Sequence, residues 1–172
     1  MGMLEVSVAR LGLERDTNTP IVVLQEKDGD RMIPIYIGHA EANAIAMELA
    51  EVKFERPLTH DLMQQVIIGL GAELSRVVLT RVEKSTYYAE LHLRRDDHVI
   101  QIDARPSDSI AIALRLKAPI FAAEDLLNIS SSGETIIPDI SGETLDSDAL
   151  KSDALKKYLE KLNPEDFGKF IP

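Results

Sequence analysis

The sequence predicts an α+β domain with a mixed, largely antiparallel sheet packed with helices, followed by a C-terminal helical tail. Three observations predict it. Short segments alternate apolar and polar residues with the period of a strand. Other segments space their apolar residues three and four apart, as a helix requires. The order is strands, two helices, strands, helix and strand, not a regular strand–helix alternation, and this order separates an α+β domain from a parallel α/β one.

Near the start, Leu4, Val6 and Val8 alternate with Glu5 and Ser7, and the apolar runs Ile21-Val22-Val23-Leu24 and 32–37 come next, giving three strands. Lys27-Asp28-Gly29-Asp30 reads as a hairpin turn, since an Asp-Gly pair supplies positive φ cheaply. From Glu41 the spacing Ala42, Ile45, Ala46, Leu49 marks a helix that begins after Gly38-His39. A second helix runs from about Thr59 to Leu70 and stops at Gly69 or Gly71. Strands follow over about 75–82, 87–93 and 99–103, with turns at 83–86 and 94–97. A third helix spans 108–116, Ala118-Pro119-Ile120-Phe121 forms a short strand, and 123–127 form a helical turn. The main domain is thus expected over 1–128. Ser130-Ser131-Ser132-Gly133 opens a polar linker over 129–146. The tail, 147–172, carries a helix with Leu150, Leu155, Tyr158, Leu159 and Leu162 on one face, which needs a partner.

With 172 residues, 45% hydrophobic and 28% charged, the chain is long enough for one substantial core. It has no cysteine, which excludes disulfides, cysteine-ligated zinc and a thiol nucleophile, and fits a reducing cytoplasm. No basic start leads into an apolar signal segment, and no apolar run approaches the roughly 20 residues of a membrane helix, so a soluble protein without membrane contact is expected. The net charge of −10 argues against a passive nucleic-acid coat. Any nucleic-acid contact must be local, and the arginines supply it: all lie before residue 128, whereas every basic residue after it is lysine.

Chemistry concentrates in a pattern used twice, Arg56-Pro57-Leu58-Thr59-His60-Asp61 and Asp103-Ala104-Arg105-Pro106-Ser107-Asp108. Proline holds Arg56 and Arg105 extended, and Thr59 and Ser107 are the expected N-caps. Two such helix mouths brought together would gather arginines, aspartates and a histidine, the material of a phosphate or metal site and equally of a salt-bridge network. His60 suits general acid–base work or metal ligation, or a plain hydrogen bond to a neighbouring loop. Asp61 would favour its imidazolium or hold one tautomer, or else serve the helix dipole. Arg56 and Arg105 would stabilise the charge of a pentavalent phosphorane, or pair crosswise with Asp108 and Asp61, or with Asp103. Asp103, Asp108 and Glu41 are hard oxygen donors suited to Mg²⁺ or Mn²⁺, with capping as the alternative duty of Asp108 and Glu41. His39, His92 and His98 form no metal-ligand spacing. No Gly-rich phosphate loop, GxSxG elbow or HExxH pair occurs. Tyr87-Tyr88 offers rings for base stacking, against inward packing of one of them.

Four ordered motifs carry a resemblance: Pro34-Ile35-Tyr36-Ile37-Gly38 with Glu41-Ala42, Arg56 to Leu62, Asp103 to Ile110, and Ala118-Pro119-Ile120. Over about residues 3–128 the chain resembles the bifunctional nuclease family, and Pro164-Glu165-Asp166-Phe167 resembles the segment C-terminal to the domain in many members. Ser109 stands where the family pattern has alanine. The resemblance implies an α+β fold, a homodimer, and the cleavage of both RNA and DNA reported for some members; it supplies no residue-by-residue mechanism. The reading that results is a phosphodiesterase of low sequence specificity, assisted by Mg²⁺ or Mn²⁺. Its catalytic candidates are His60, Asp61, Arg56, Arg105 and Asp108, and its metal candidates Asp103 and Glu41. The alternative is a non-catalytic dimeric binding or regulatory module, in which the same motifs hold the fold or the interface.

Overall fold

A computed structural model describes residues 2–131 and 140–146. Its elements are β1 (Met3–Glu14), β2 (Pro20–Glu26), β3 (Met32–Tyr36), α1 (His39–Leu49), α2 (Thr59–Gly69), β4 (Glu73–Glu83), β5 (Thr86–Arg95), β6 (His98–Ala104), α3 (Pro106–Leu116), β7 (Ile120–Ala123), α4 (Glu124–Ser131) and β8 (Ile140–Asp146). The sheet runs β3-β2-β1-β7-β4-β5-β6, with β8 paired to β1 off this path. Two antiparallel units, β1-β2-β3 and β4-β5-β6, are sewn together by β7. Ile120 of β7 pairs with Val6 in antiparallel sense and with Val77 in parallel sense. The fold is therefore α+β with a mixed, largely antiparallel sheet.

Packing follows from this order. β2 is buried from Pro20 to Leu24, as an interior strand covered on both faces requires. β6 is the opposite case, an edge strand exposed from His98 to Asp103. The crossover from β6 to β7 lays α3 over β4 and β5 and against both α1 and α2. Ile110, Ala111, Ile112 and Ala113 are buried there, and each isoleucine contributes roughly 2 kcal/mol by leaving water. Pro106 starts α3 because its fixed φ is already helical and its missing N–H would have had no partner.

Several local expectations are corrected. The N-cap of α2 is Leu58 and that of α3 is Arg105, so Thr59 and Ser107 lie inside their helices. A carboxylate three residues on does the capping at α2, where Asp61 Oδ2 accepts the Leu58 N–H at 2.9 Å. Gly29 does not take a positive φ; Gly71, just beyond α2, does. The stretch expected as a linker over 129–146 contains the end of α4 and all of β8, which pairs from Ile140 to Asp146 along the second half of β1. β7 occupies only Met3 to Val6 of that β1 edge, so its remaining backbone groups are open to a further strand. The C-terminal helix and tail expected over 147–172 lie outside the described residues.

The β4–β5 turn is strained. Lys84 and Ser85 both have left-handed φ, 48° and 62°, where Asn-Gly would be at ease. Replacing the pair by Lys84→Asn with Ser85→Gly should raise stability by roughly 1–2 kcal/mol. The check is a higher urea midpoint at unchanged m-value; a lower midpoint would contradict the strain.

Candidate active site

Three helix mouths meet where the sheet delivers α1, α2 and α3. His60 is the second residue of α2 and Asp108 the third of α3, and His60 Nε2 lies 2.9 Å from Asp108 Oδ1. Asp108 presents its other oxygen to Arg105, whose Nε donates to Oδ2 at 2.7 Å. Arg105 Nη2 donates to Glu41 Oε1, also at 2.7 Å, from the first turn of α1. The result is a chain of alternating function, Glu41–Arg105–Asp108–His60, tying all three mouths together. Gly38 permits it: a Cβ at that position would collide with the Glu41 carboxylate, which folds back over the start of α1.

Electrostatics favours the ionised forms of Asp108 and Arg105. Burial pushes the Asp108 carboxyl up, but the hydrogen bonds from Arg105 and His60, together with their charge, outweigh it and hold the group below the ordinary value. Asp108 and Glu41 in turn hold Arg105 protonated more firmly than usual. An ionised Asp108 can only accept, so His60 Nε2 carries the proton and Nδ1 is left as a base when the ring is neutral. A depressed carboxyl stabilises the fold above its unfolded value, near 3.9, and loses that contribution as pH falls through its folded value. Wild type should therefore exceed Asp108→Asn in urea midpoint at pH 6, with the gap narrowing as the pH falls below the unfolded carboxyl value. A gap that widened on acidification would reverse the sign.

Asp61 turns the other way. Its Oδ1 receives Arg115 Nε at 2.6 Å while Oδ2 takes the Leu58 N–H. Arg115 has a side chain 3% exposed and uses Nη1 on the carbonyls of Ala44 in α1 and Ala111 in α3, at 3.1 and 2.9 Å. Its own carbonyl accepts Gln64 Nε2 at 2.9 Å. Burial raises the Asp61 carboxyl, yet Arg115 and the Leu58 N–H bring it below the ordinary value. This is a bolt through three helices, not part of the histidine's chain.

The structure brings together only some of the residues expected at the two helix mouths. His60, Arg105 and Asp108 converge; Asp61 bonds Arg115 in place of His60. Arg56 is exposed and joins no ion pair among the described residues. Asp103 sits on β6 opposite Glu90, close enough for its charge to act on Arg81, and does not join Glu41. Among the described residues no three histidine, aspartate or glutamate side chains gather as a metal site. Glu41 and Asp108 instead share the Arg105 guanidinium and Asp103 lies apart on β6, so the donors proposed for Mg²⁺ or Mn²⁺ do not fit as a chelating set. Sequence reasoning misses Arg115 as a site neighbour, although Ser107, Ala111 and Arg115 fall at i, i+4 and i+8. Two small residues in line with a long cation leave room for it to lie along the helix.

Beside the chain opens a cleft of about 390 Å³. Its walls come from both sheet units, Tyr36 and Gly38 on one side and Thr86 and Tyr87 on the other, with Arg105 and Ser107 at the mouth of α3. Arg105 is the shared residue, facing the cleft and bonded to Asp108. Among the described residues no helix is long and apolar enough to cross a membrane.

Residues 22–134 match the bifunctional nuclease domain. An uncharacterised protein of Mycobacterium tuberculosis is 40% identical over 168 residues, covering 96% of this chain and 98% of its own. Bifunctional nuclease 1 of Arabidopsis thaliana is 27% identical over 128 residues, 69% of this chain and 39% of that protein. Bifunctional nuclease 2 of Oryza sativa subsp. japonica is 32% identical over 105 residues, 59% of this chain and 32% of that protein. The matched span contains Glu41, His60, Arg105 and Asp108, and with it the whole of the charge chain that joins the three helix mouths: this protein belongs to the bifunctional nuclease domain family.

Proposed function

We propose that the protein is a cytoplasmic nuclease that cleaves RNA and DNA with little sequence preference at His60, Asp108 and Arg105, beside the cleft that Arg105 lines. One observation carries the reading: an oriented histidine–carboxylate pair coupled to an exposed arginine that lines a cleft, in a chain whose relatives include proteins named bifunctional nucleases. His60 Nδ1 takes a proton from water as its oxygen bonds to phosphorus; the opposite phosphorus–oxygen bond breaks, and solvent protonates the leaving oxygen. Arg105 faces the charge that gathers on the phosphoryl oxygens, while Glu41 and Asp108 keep its guanidinium in place.

The test is cleavage of fluorescent single-stranded RNA and DNA by the full chain in Mg²⁺, Mn²⁺ or EDTA, beside His60→Ala prepared identically. Turnover by wild type that is missing in the variant supports the reading in whichever ionic condition it occurs. Equal turnover in both, or none in either, ends it.

A dimeric binding module is the second reading, and one observation favours it. Leu62, Met63, Val66 and Ile68 on α2, with Leu70 as its C-cap, are 43–61% exposed, and Val99, Ile100 and Ile102 on the edge strand β6 are 41–66% exposed. Apolar surface of this extent marks an interface, and a second copy of the chain is the occupant we propose for it.

A further inference from the structure

We infer that the cleft at the mouth of α3 is a subsite for one unstacked nucleotide of a single-stranded nucleic acid. The inference rests on the nuclease reading for the chemistry beside the cleft, and it adds what the cleft must receive.

The first observation is Ser107. It is 6% exposed, lines the cleft, and has no hydrogen-bond partner among the described residues. No fully occluded side-chain polar atom among the described residues is left unsatisfied, so the Ser107 hydroxyl is open to the cleft. A hydroxyl with no protein partner and open to the cleft is a donor and acceptor available to a ligand.

The second is Tyr36. Its ring is 52% exposed on the cleft wall, yet it is not loose, because its hydroxyl donates to Glu14 Oε1 at 2.8 Å. An exposed aromatic ring held in one orientation is a stacking platform whose ordering cost is already met. Tyr87, half-buried, supplies a second ring on the lining from the other sheet unit.

The third is the free end of Arg105. Nε and Nη2 are taken by Asp108 and Glu41, while Nη1 makes no bond among the described residues, and the side chain is 66% exposed. The two carboxylates fix the plane of the guanidinium and turn its unused end outward, where a phosphate oxygen can meet it. Because two carboxylates outnumber the single guanidinium, phosphate attraction alone is weak. Recognition must lean on stacking and on the hydroxyls, which every base and sugar can satisfy. That accords with low sequence preference.

Size sets the substrate class. About 390 Å³ lies in the range of small-ligand pockets and takes a base with its sugar. A duplex can deliver a base there only by flipping it out of the stack, so single strands bind preferentially.

The experiment is fluorescence anisotropy with a short fluorescein-labelled oligothymidylate and its duplex, in EDTA, using full-length His60→Ala as a parent that does not cleave. Adding Tyr36→Ala should weaken single-strand binding roughly 5- to 100-fold, the loss of one base–aromatic stack. Tyr36→Phe, which keeps the ring, should stay within about 3-fold of the parent, and the nearly isosteric Ser107→Ala should fall between them. Duplex should bind more weakly than single strand. Absence of single-strand binding, indifference to both Tyr36→Ala and Ser107→Ala, or duplex binding as tight as single strand would each overturn the subsite. The nuclease reading is scored separately on the wild-type chain. Tyrosine-dependent binding without cleavage keeps the subsite and removes the nuclease; cleavage with binding indifferent to both Tyr36→Ala and Ser107→Ala does the reverse.

Discussion

Asp61→Ala is expected to lower stability by roughly 3–5 kcal/mol, because it leaves the Arg115 guanidinium inside the protein without its counter-charge. For a chain of this size that corresponds to a fall of about 10 °C in melting temperature, read by circular dichroism. Two effects add. The uncompensated charge is the larger, and loss of the Leu58 N–H acceptor at the start of α2 contributes about 1 kcal/mol more. The double variant Asp61→Leu with Arg115→Met should recover part of the loss, since removing both charges removes the desolvation cost with them. Recovery stays incomplete, because the carbonyls of Ala44 and Ala111 lose the Arg115 donor. An Asp61→Ala protein within 1 kcal/mol of wild type would show that the bolt is not what holds α1, α2 and α3 together.

His60→Ala is expected to do the opposite, reducing cleavage by roughly 10²- to 10⁴-fold, the usual worth of a positioned general base, while the melting temperature stays within a few degrees. The stability effect is small because Asp108 keeps its bond to Arg105 when the imidazole is gone, and so is not orphaned. Asp108→Asn should also be severely impaired, for a different reason. An amide at Oδ1 can donate to the ring, which permits the wrong tautomer, and it removes the charge that pins Arg105. The readout that separates catalysis from structure is the split between rate and melting temperature, since His60→Ala should lose cleavage and keep its fold. A variant that keeps the rate would move the proton transfer elsewhere.

These two outcomes pull apart residues that stand next to each other in the chain. His60 and Asp61 belong to one motif, and the sequence offers Asp61 as the histidine's natural partner. The helix surface decides otherwise, since consecutive residues point in different directions: His60 is carried toward the start of α3 and Asp61 toward its last turn. Arg56 is the other loss. Ahead of its proline it is held outside the helix, and no neighbouring element returns a carboxylate to it among the described residues. Glu41, expected as a metal ligand or a cap, is the counter-charge of Arg105.

The sequence by itself determined the elements up to residue 128, their order, the α+β class and the family. Periodicity, proline and carboxylates near helix starts act over a few residues, and their signals are written locally. It also brought His60, Arg105 and Asp108 to notice, since each sits at a helix mouth marked by a proline. Pairing, the cleft and the eighth strand were decided by the tertiary structure alone. The bonds that define the site join residues 48, 54 and 64 positions apart, so each depends on how β7 draws the two sheet units together and on where that sets α3 between α1 and α2. A carboxylate takes whichever cation the packing brings within about 3 Å, and no local pattern states which one that will be.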